Sequence, residues 1–297
     1  MPELPEVETV ATGLNRRVAG DVIESVWLGD KPQSFKSSPA EIVATIEGTR
    51  IEAVRRVGKH IVVDLVMTQE ALDREGAKRL VGHGKNQGHE KNQAKPETRQ
   101  WIVHLGMTGR FLVVDAAAEI VKHTHAIARL KSGRELRFVD PRRFGKLAVV
   151  REGSGFAGPG TEPLTVMKDD FVILFKGRKS PIKAALLNQK LLHGVGNIYA
   201  DESLFRAGIR PKRQAGKLTR DELGRLHKEL VKVLRAAIKA GGTTVSDYVD
   251  SDGAEGFFQF RLRAYGRTGE PCVKCKTAIK RIIVGGRSTH YCPCCQK

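Results

Sequence analysis

The chain has 297 residues, 40% of them hydrophobic, which is enough to bury one large core or two smaller ones. No apolar run is long enough to span a bilayer, and the acidic, proline-punctuated start MPELPEVE argues against a secretory signal and for the cytosol. With 51 Lys and Arg against 33 Asp and Glu, a formal charge of +18 repels itself unless a polyanion neutralises it; nucleic acid is the leading partner, an anionic membrane surface the second, and a basic protein without a dedicated partner the bland alternative.

Residues 3–18 read as a helix. Pro5 suits its first turn, Val7, Val10, Leu14 and Val18 recur at helical spacing, and Gly20 is a stop. From about 22 to 150 the period is that of strands. KHIVVDLVM, QWIVHLGMTGRFLVV and the pair HAIARL and RELRFV around Ser132-Gly133 are short, β-rich and broken by Gly and Ser, a pattern that fits a sandwich or a barrel.

Residues 78–99 interrupt it. They are polar with no apolar period and read as a long exposed loop, and its His83 and His89 read as solvated rather than metal-binding. The Gly- and Pro-rich stretch 153–163 suits a linker. Ser180-Pro181 opens a helix as N-cap and first-turn proline. Thr219 and Glu222 have capping-box spacing, and Leu223, Leu226, Leu230, Val233, Leu234 and Ala237 form a core stripe ending at Gly241-Gly242.

All five cysteines follow position 271, and with no secretory signal their clustering points to a metal rather than to disulfides. Cys272 and Cys275 form one C-x2-C pair. After sixteen intervening residues Cys292 and Cys295 form another, a spacing that presents four thiolates to one structural Zn²⁺. Cys294 adjoins Cys295, so both cannot easily turn inward, and it reads as a bystander. Between the pairs lie two β-like runs around Gly285-Gly286, a hairpin with little core whose stability the metal supplies. Its tip presents Arg287, a natural phosphate contact in so basic a chain.

MPELPEVET at the start, HLGMTG at 104–109, DPRRFG at 140–145, GVGNIYADESLF at 194–205 and the terminal GGRSTHYCPCCQ together resemble the bacterial formamidopyrimidine-DNA glycosylase family. The resemblance runs from Met1 to the last residues, apart from the 78–99 loop. It implies an α+β fold: an N-terminal β-sandwich with flanking helices, then a helix–two-turns–helix domain with a C-terminal zinc-finger hairpin, with DNA in the cleft between. The expected division is 1–150 for the catalytic sandwich, 151–163 for the linker, 164–262 for the helical DNA-binding domain and 263–297 for the zinc finger.

The resemblance also implies the chemistry. Removal of Met1 leaves Pro2 as a secondary amine able to attack the sugar C1′ and form an iminium. Glu3 is the acid that helps open the sugar ring, and Lys59 binds the phosphate beside the lesion. Glu6 either lines the pocket or is only a favourable charge near a helix start. Asn197 and Arg287 clamp the backbone, while Met107, Arg142 and Phe144 fill the space a flipped base leaves, Arg142 reading the orphaned partner. The loop 249–258 covers the purine, its glycines letting N–H groups approach the base edge. The implied activity is a bifunctional glycosylase and abasic-site lyase on double-stranded DNA containing oxidised purines or abasic sites. A monomer in the bacterial cytosol, associated with the nucleoid and not with membranes, is expected.

Endonuclease VIII, the sister enzyme for oxidised pyrimidines, is the nearest alternative. Its start reads differently after Met-Pro-Glu, where this chain has Leu4 and Pro5, and DPRRFG also favours the purine enzyme. A zinc-finger DNA-binding protein without catalysis needs neither a processed proline terminus nor Lys59. A ribosome-bound basic protein leaves the wedge motifs unexplained.

Overall fold

A computed structural model describes residues 1–73, 98–151, 155–244 and 248–297. Helix α1 (Leu4–Val18) forms as its periodicity dictates, with Val7, Val10, Leu14 and Val18 all buried. Glu6 reaches back from the first turn to accept the Glu3 N–H at 2.8 Å, satisfying a donor the helix leaves free. Gly20, at φ +87°, then turns the chain away.

Two antiparallel four-stranded sheets follow. One runs in the order β1 (Ile23–Leu28), β6 (Thr124–Leu130), β7 (Arg134–Val139), β5 (Arg110–Asp115). The other runs β2 (Thr49–Val57), β3 (His60–Met67), β4 (Thr98–His104), β8 (Lys146–Arg151). Their inner faces share one core, in which Ile51, Val63 and Trp101 of the second sheet meet Phe111, Ala128 and Phe138 of the first. Trp101 and Phe111 pack edge to face with ring centres 5.0 Å apart. Helix α2 (Pro39–Ile46), capped by the Ser38 hydroxyl, adds Ile42 and Ile46 to the same core. This is a β-sandwich with flanking helices. The expected hairpin tip at Ser132-Gly133 joins β6 to β7, Gly133 taking φ +80°.

Of the loop expected at 78–99, residues 78–97, with His83 and His89, lie outside the described residues. Its last two positions belong to β4 instead: Arg99 pairs with Leu65 and Arg151 on either side and is buried. A long charged side chain inside a strand hides this from a polarity reading.

The second half is helical: α3 (Lys168–Phe175), α4 (Ile182–Leu186), α5 (Asn197–Ala207) and α6 (Arg220–Lys239), with two turns between α5 and α6. Helix α6 has its capping box, with Thr219 Oγ1 accepting the Glu222 N–H and Glu222 accepting the Thr219 N–H. Its predicted stripe is buried throughout. The opening of α4 differs from expectation. Ser180 is no cap and Pro181 precedes the helix, because both are held extended against 213–215: Ser180 accepts the Ala215 N–H, and Arg213 the Ile182 N–H. The zinc-finger hairpin pairs β9 (Lys280–Val284) with β10 (Arg287–Tyr291) through Gly285-Gly286, both at positive φ.

Several contacts tie the halves together. Leu4, though on α1, packs in the helical core, and Tyr248 packs in the sandwich core. From the glycine-rich stretch, Glu162 accepts from Arg56 of β2 at 2.9 Å and faces His193 of the helical half at 3.2 Å. Among the described residues, no helix is long and apolar enough to cross a membrane.

Candidate active site

A cleft of about 610 Å³ opens between the sandwich and the helical half, lined by Met1, Glu3, Lys59, Met107, Asn197 and Arg287 among others. Residues from five separate stretches of the chain thus meet because α1 starts inside the helical core. Leu4 donates its N–H to Gly194 O at 3.0 Å and packs there, which pins the terminus beside the start of α5.

Glu3 is buried, and its carboxyl accepts the N–H groups of Ile198 (3.1 Å) and Tyr199 (3.4 Å) in the first turn of α5. Burial raises its pKa; Lys59, these two N–H groups and the terminal ammonium oppose the rise. Glu6, one turn on, accepts from Tyr199 Oη at 2.5 Å and from the Thr243 N–H at 2.8 Å. Burial and the neighbouring Glu3 push it up to about 7. Glu6 therefore lines a small pocket with Pro2, Met107, Ile198, Thr243 and Tyr248, as the first of its two sequence readings has it, and it is more than a charge near a helix start, though it also accepts a free N–H there. Pro2 is buried, whereas Met1 is 54% exposed and borders both the small pocket and the large cleft.

Lys59 sits with Gly58 at the tip of the β2–β3 hairpin, between the paired Val57 and His60. A side chain on Gly58 would come within 2.9 Å of His193, so this tip packs tightly on the helical half. Burial lowers the Lys59 pKa, Glu3 raises it and Arg287 lowers it further.

Asn197 is the first residue of α5. Its amide donates to Ser288 O at 3.0 Å, while its own Oδ1 is buried without a hydrogen-bond partner among the described residues. Arg287, next to Ser288, is exposed at the base of β10. The hairpin is docked by groups the sequence did not single out. Lys183, fully buried on α4, donates to Ser288 O (2.7 Å) and Thr289 Oγ1 (2.9 Å) and pairs with Asp201 of α5 at 2.7 Å. Asp201 in turn accepts the His290 N–H at 2.8 Å. Tyr199 lay within a quoted motif; nothing in spacing marked Lys183.

Arg142 and Phe144 do not line the cleft. They are exposed on the adjoining loop, the Arg142 guanidinium 5.0 Å from the Phe144 ring centre. That loop is fastened to the Met107 loop. Asp140 accepts from Thr108 Oγ1 (2.6 Å), the Arg142 N–H (3.2 Å) and the Gly145 N–H (2.7 Å). Gly106 has no room for a Cβ, which would stand 2.5 Å from Gly145 N.

In the DNA-free structure the 249–258 segment is held by its own contacts. The Gly253 N–H goes to Asp250 O and the Gly256 N–H to Thr244 Oγ1, so both glycine donors serve the protein itself. A Cβ on Gly256 would lie 2.4 Å from Gly242 O, and this close approach is what requires glycine there. Ser251 meets α1 at Gly13, and Asp252 pairs with Arg17.

Cys272, Cys275, Cys292 and Cys295 bring their sulfurs within 4.8 Å of one another. Two of the separations, 3.4 and 3.9 Å, bracket the edge of about 3.8 Å that a tetrahedron with Zn–S bonds of about 2.3 Å has. The Lys274 and Cys295 N–H groups point to Sγ of Cys272 and Cys292. The set fits one structural zinc; Cys294 is exposed and outside it.

The chain matches three family profiles: the formamidopyrimidine-DNA glycosylase N-terminal domain over residues 1–147, the H2TH domain of the same glycosylase over 159–249, and the zinc finger found in FPG and IleRS over 269–297. It is 40% identical to the formamidopyrimidine-DNA glycosylases of Thioalkalivibrio sulfidiphilus and Solibacter usitatus, all of each chain being covered. Among solved structures it is similar to the MutM (Fpg) protein of Thermus thermophilus at a TM-score of 0.78 and 39% identity, covering 99% of this chain and 98% of that one. It is also similar to a Lactococcus lactis Fpg variant in complex with Fapy-dG-containing DNA, at a TM-score of 0.82 and 28% identity over 100% of both chains.

Proposed function

The chain belongs to the formamidopyrimidine-DNA glycosylase family, and from that premise we propose how its own residues carry out the reaction. The protein is a zinc-containing DNA glycosylase that removes oxidised purines from duplex DNA in base excision repair. The observation that supports the assignment of roles is the convergence of Pro2, Glu3 and Lys59 at the first turn of α5.

With Met1 attached, the Pro2 nitrogen is an amide and no nucleophile. Removal of Met1 makes it a secondary amine and clears the residue that borders both pockets. The amine attacks C1′ of the lesion nucleotide; the N-glycosidic bond breaks, and the departing purine takes up the proton that the amine nitrogen gives up. Glu3, whose buried carboxyl holds its proton above the usual range, delivers it to O4′ as the C1′–O4′ bond opens. The iminium so formed acidifies C2′; loss of that proton expels the 3′ phosphate, and a second elimination expels the 5′ phosphate. Lys59, Asn197 and Arg287 hold the flanking phosphates from three separate elements. Met107 enters the stack from the cleft, and Arg142 and Phe144 from the loop fastened to it. The zinc has no part in these steps; it keeps the hairpin folded so that Arg287 reaches DNA. The protein works in the bacterial cytosol as a monomer, drawn to the nucleoid by its DNA partner.

Borohydride trapping tests this. The Met1-free protein should give a covalent complex with duplexes carrying 8-oxoguanine or an abasic site. A form with an uncleaved N-terminal extension should bind zinc and DNA but neither trap nor nick. Equal trapping by the blocked form would move the nucleophile to a lysine, Lys59 first.

A further inference from the structure

Outside the catalytic cleft, a second groove lies at the other end of α5. Arg206, on its rim, is nine residues beyond Asn197, about 14 Å along the helix. The groove encloses about 660 Å³ between α6, the turn at Phe258–Arg261 and the first cysteine knuckle. Its floor is hydrocarbon: Val233, Ala236, Phe258 and Leu262. Phe260 stands over it 80% exposed. Lys232, Arg261, Arg263 and Lys274 surround it, all exposed, and none of them makes an ion pair among the described residues. Lys232 also belongs to a shallower hollow of about 480 Å³ that continues along α6 past Lys228 and Arg235. Among the described residues, no Asp or Glu lines either.

Lys274 lies over the Phe205 ring, 5.2 Å from its centre, but among the described residues no carboxylate offsets the four surrounding cations, which repel one another around an exposed apolar pocket, and the reaction above uses none of them. We propose that this groove docks an acidic peptide segment of a partner protein. An apolar or aromatic side chain fills the pocket, and the adjoining carboxylates lie along Lys232, Lys228 and Arg235. The floor favours a peptide over a nucleic acid. A nucleobase carries polar edges, and no side chain of the floor can hydrogen-bond them, so seating a base there would leave buried donors and acceptors unpaired. A hydrocarbon side chain has no such groups. Carboxylates suit the rim, because lysine and arginine give charge-assisted bonds to them.

The test uses the full zinc-loaded chain at physiological salt and a fluorescein-labelled peptide of four acidic residues followed by leucine and phenylalanine. Anisotropy should show saturable binding. Replacing both apolar residues of the peptide by serine should weaken it at least tenfold. Lys232→Glu with Arg263→Glu should do the same, whereas Lys122→Glu with Lys131→Glu, a charge-matched change on the sandwich, should not. Phe260→Ser, at an exposed position, provides a variant that leaves the floor intact and should also weaken binding. Cleavage of lesion DNA should stay unchanged in all of them, which separates this proposal from the catalytic one. No saturable binding, equal binding of the serine peptide, or equal binding by the groove variants would overturn it. So would an oligothymidylate that displaces the peptide and is itself weakened by the groove substitutions, since the groove would then be a nucleic-acid site.

Discussion

The Glu3 carboxyl occupies the space where any residue at 196 other than glycine would carry its side chain. A Cβ on Gly196 would lie 2.2 Å from Glu3 Cδ. Gly196 has φ −126° and ψ −164°, an extended conformation open to every residue, so the close approach alone demands glycine. That approach lets the Ile198 and Tyr199 N–H groups reach the carboxyl.

Gly196→Ala should therefore leave the fold standing and displace Glu3. A shift of about 1 Å at a reacting group costs on the order of 100-fold. Single-turnover excision of 8-oxoguanine should fall by about that factor, with zinc content and circular dichroism unchanged. Wild-type excision would show that Glu3 has no positional role.

Glu6 makes stability depend on pH. Its folded pKa of about 7 exceeds the ordinary 4.5, so between these values the folded chain binds more protons than the unfolded one. This contribution is present below pH 4.5 and is lost as pH rises to 7. The loss amounts to about 3 kcal/mol at most. Glu6→Gln cannot ionise and should gain stability relative to the parent as pH rises from 5 to 8, read from urea midpoints. A difference between the two that does not vary with pH would mean Glu6 titrates normally.

Cys292→Ser should release the metal and unfold the β9–β10 hairpin, since its own apolar cluster around Phe205, Ala264 and Ile279 is small and the bonds from Lys183, Asn197 and Asp201 reach only its β10 strand. Cys294→Ser should retain one zinc per chain by metal analysis, because Cys294 is exposed and outside the sulfur cluster. Metal loss from the Cys294 variant would overturn the ligand assignment.

Arg287→Ala should lower DNA affinity and flatten its dependence on salt. One phosphate contact contributes about 0.9 to the slope of log K against log salt. A titration from low to high salt measures it, and an unchanged slope would remove Arg287 from the phosphate clamp.

Local order was legible in the sequence. The stripe of α1, the Thr219–Glu222 box, the turn at Ser132-Gly133 and the stripe of α6 all follow from backbone geometry and from side chains within a few residues. Where local signals misled, a distant strand or turn had taken over the backbone. Ser180 and Pro181 pair with 213–215 instead of opening a helix, and Arg99 is inside β4 despite its charge.

By itself the sequence determined the cysteine spacing, the family motifs and the periodicities, which are short-range properties of the chain. Only the tertiary structure decided what meets what. Glu3 reaches Tyr199 and Glu6 reaches Thr243 because Leu4 is buried in the helical core, drawing the terminus across the boundary between the two halves. Lys183 holds the hairpin of Arg287 from 105 residues away, a contact no local spacing encodes. Such pairs arise when burial brings separate elements into one low-dielectric place, where a charge without its partner is costly, so their identity depends on packing and not on neighbours in the chain.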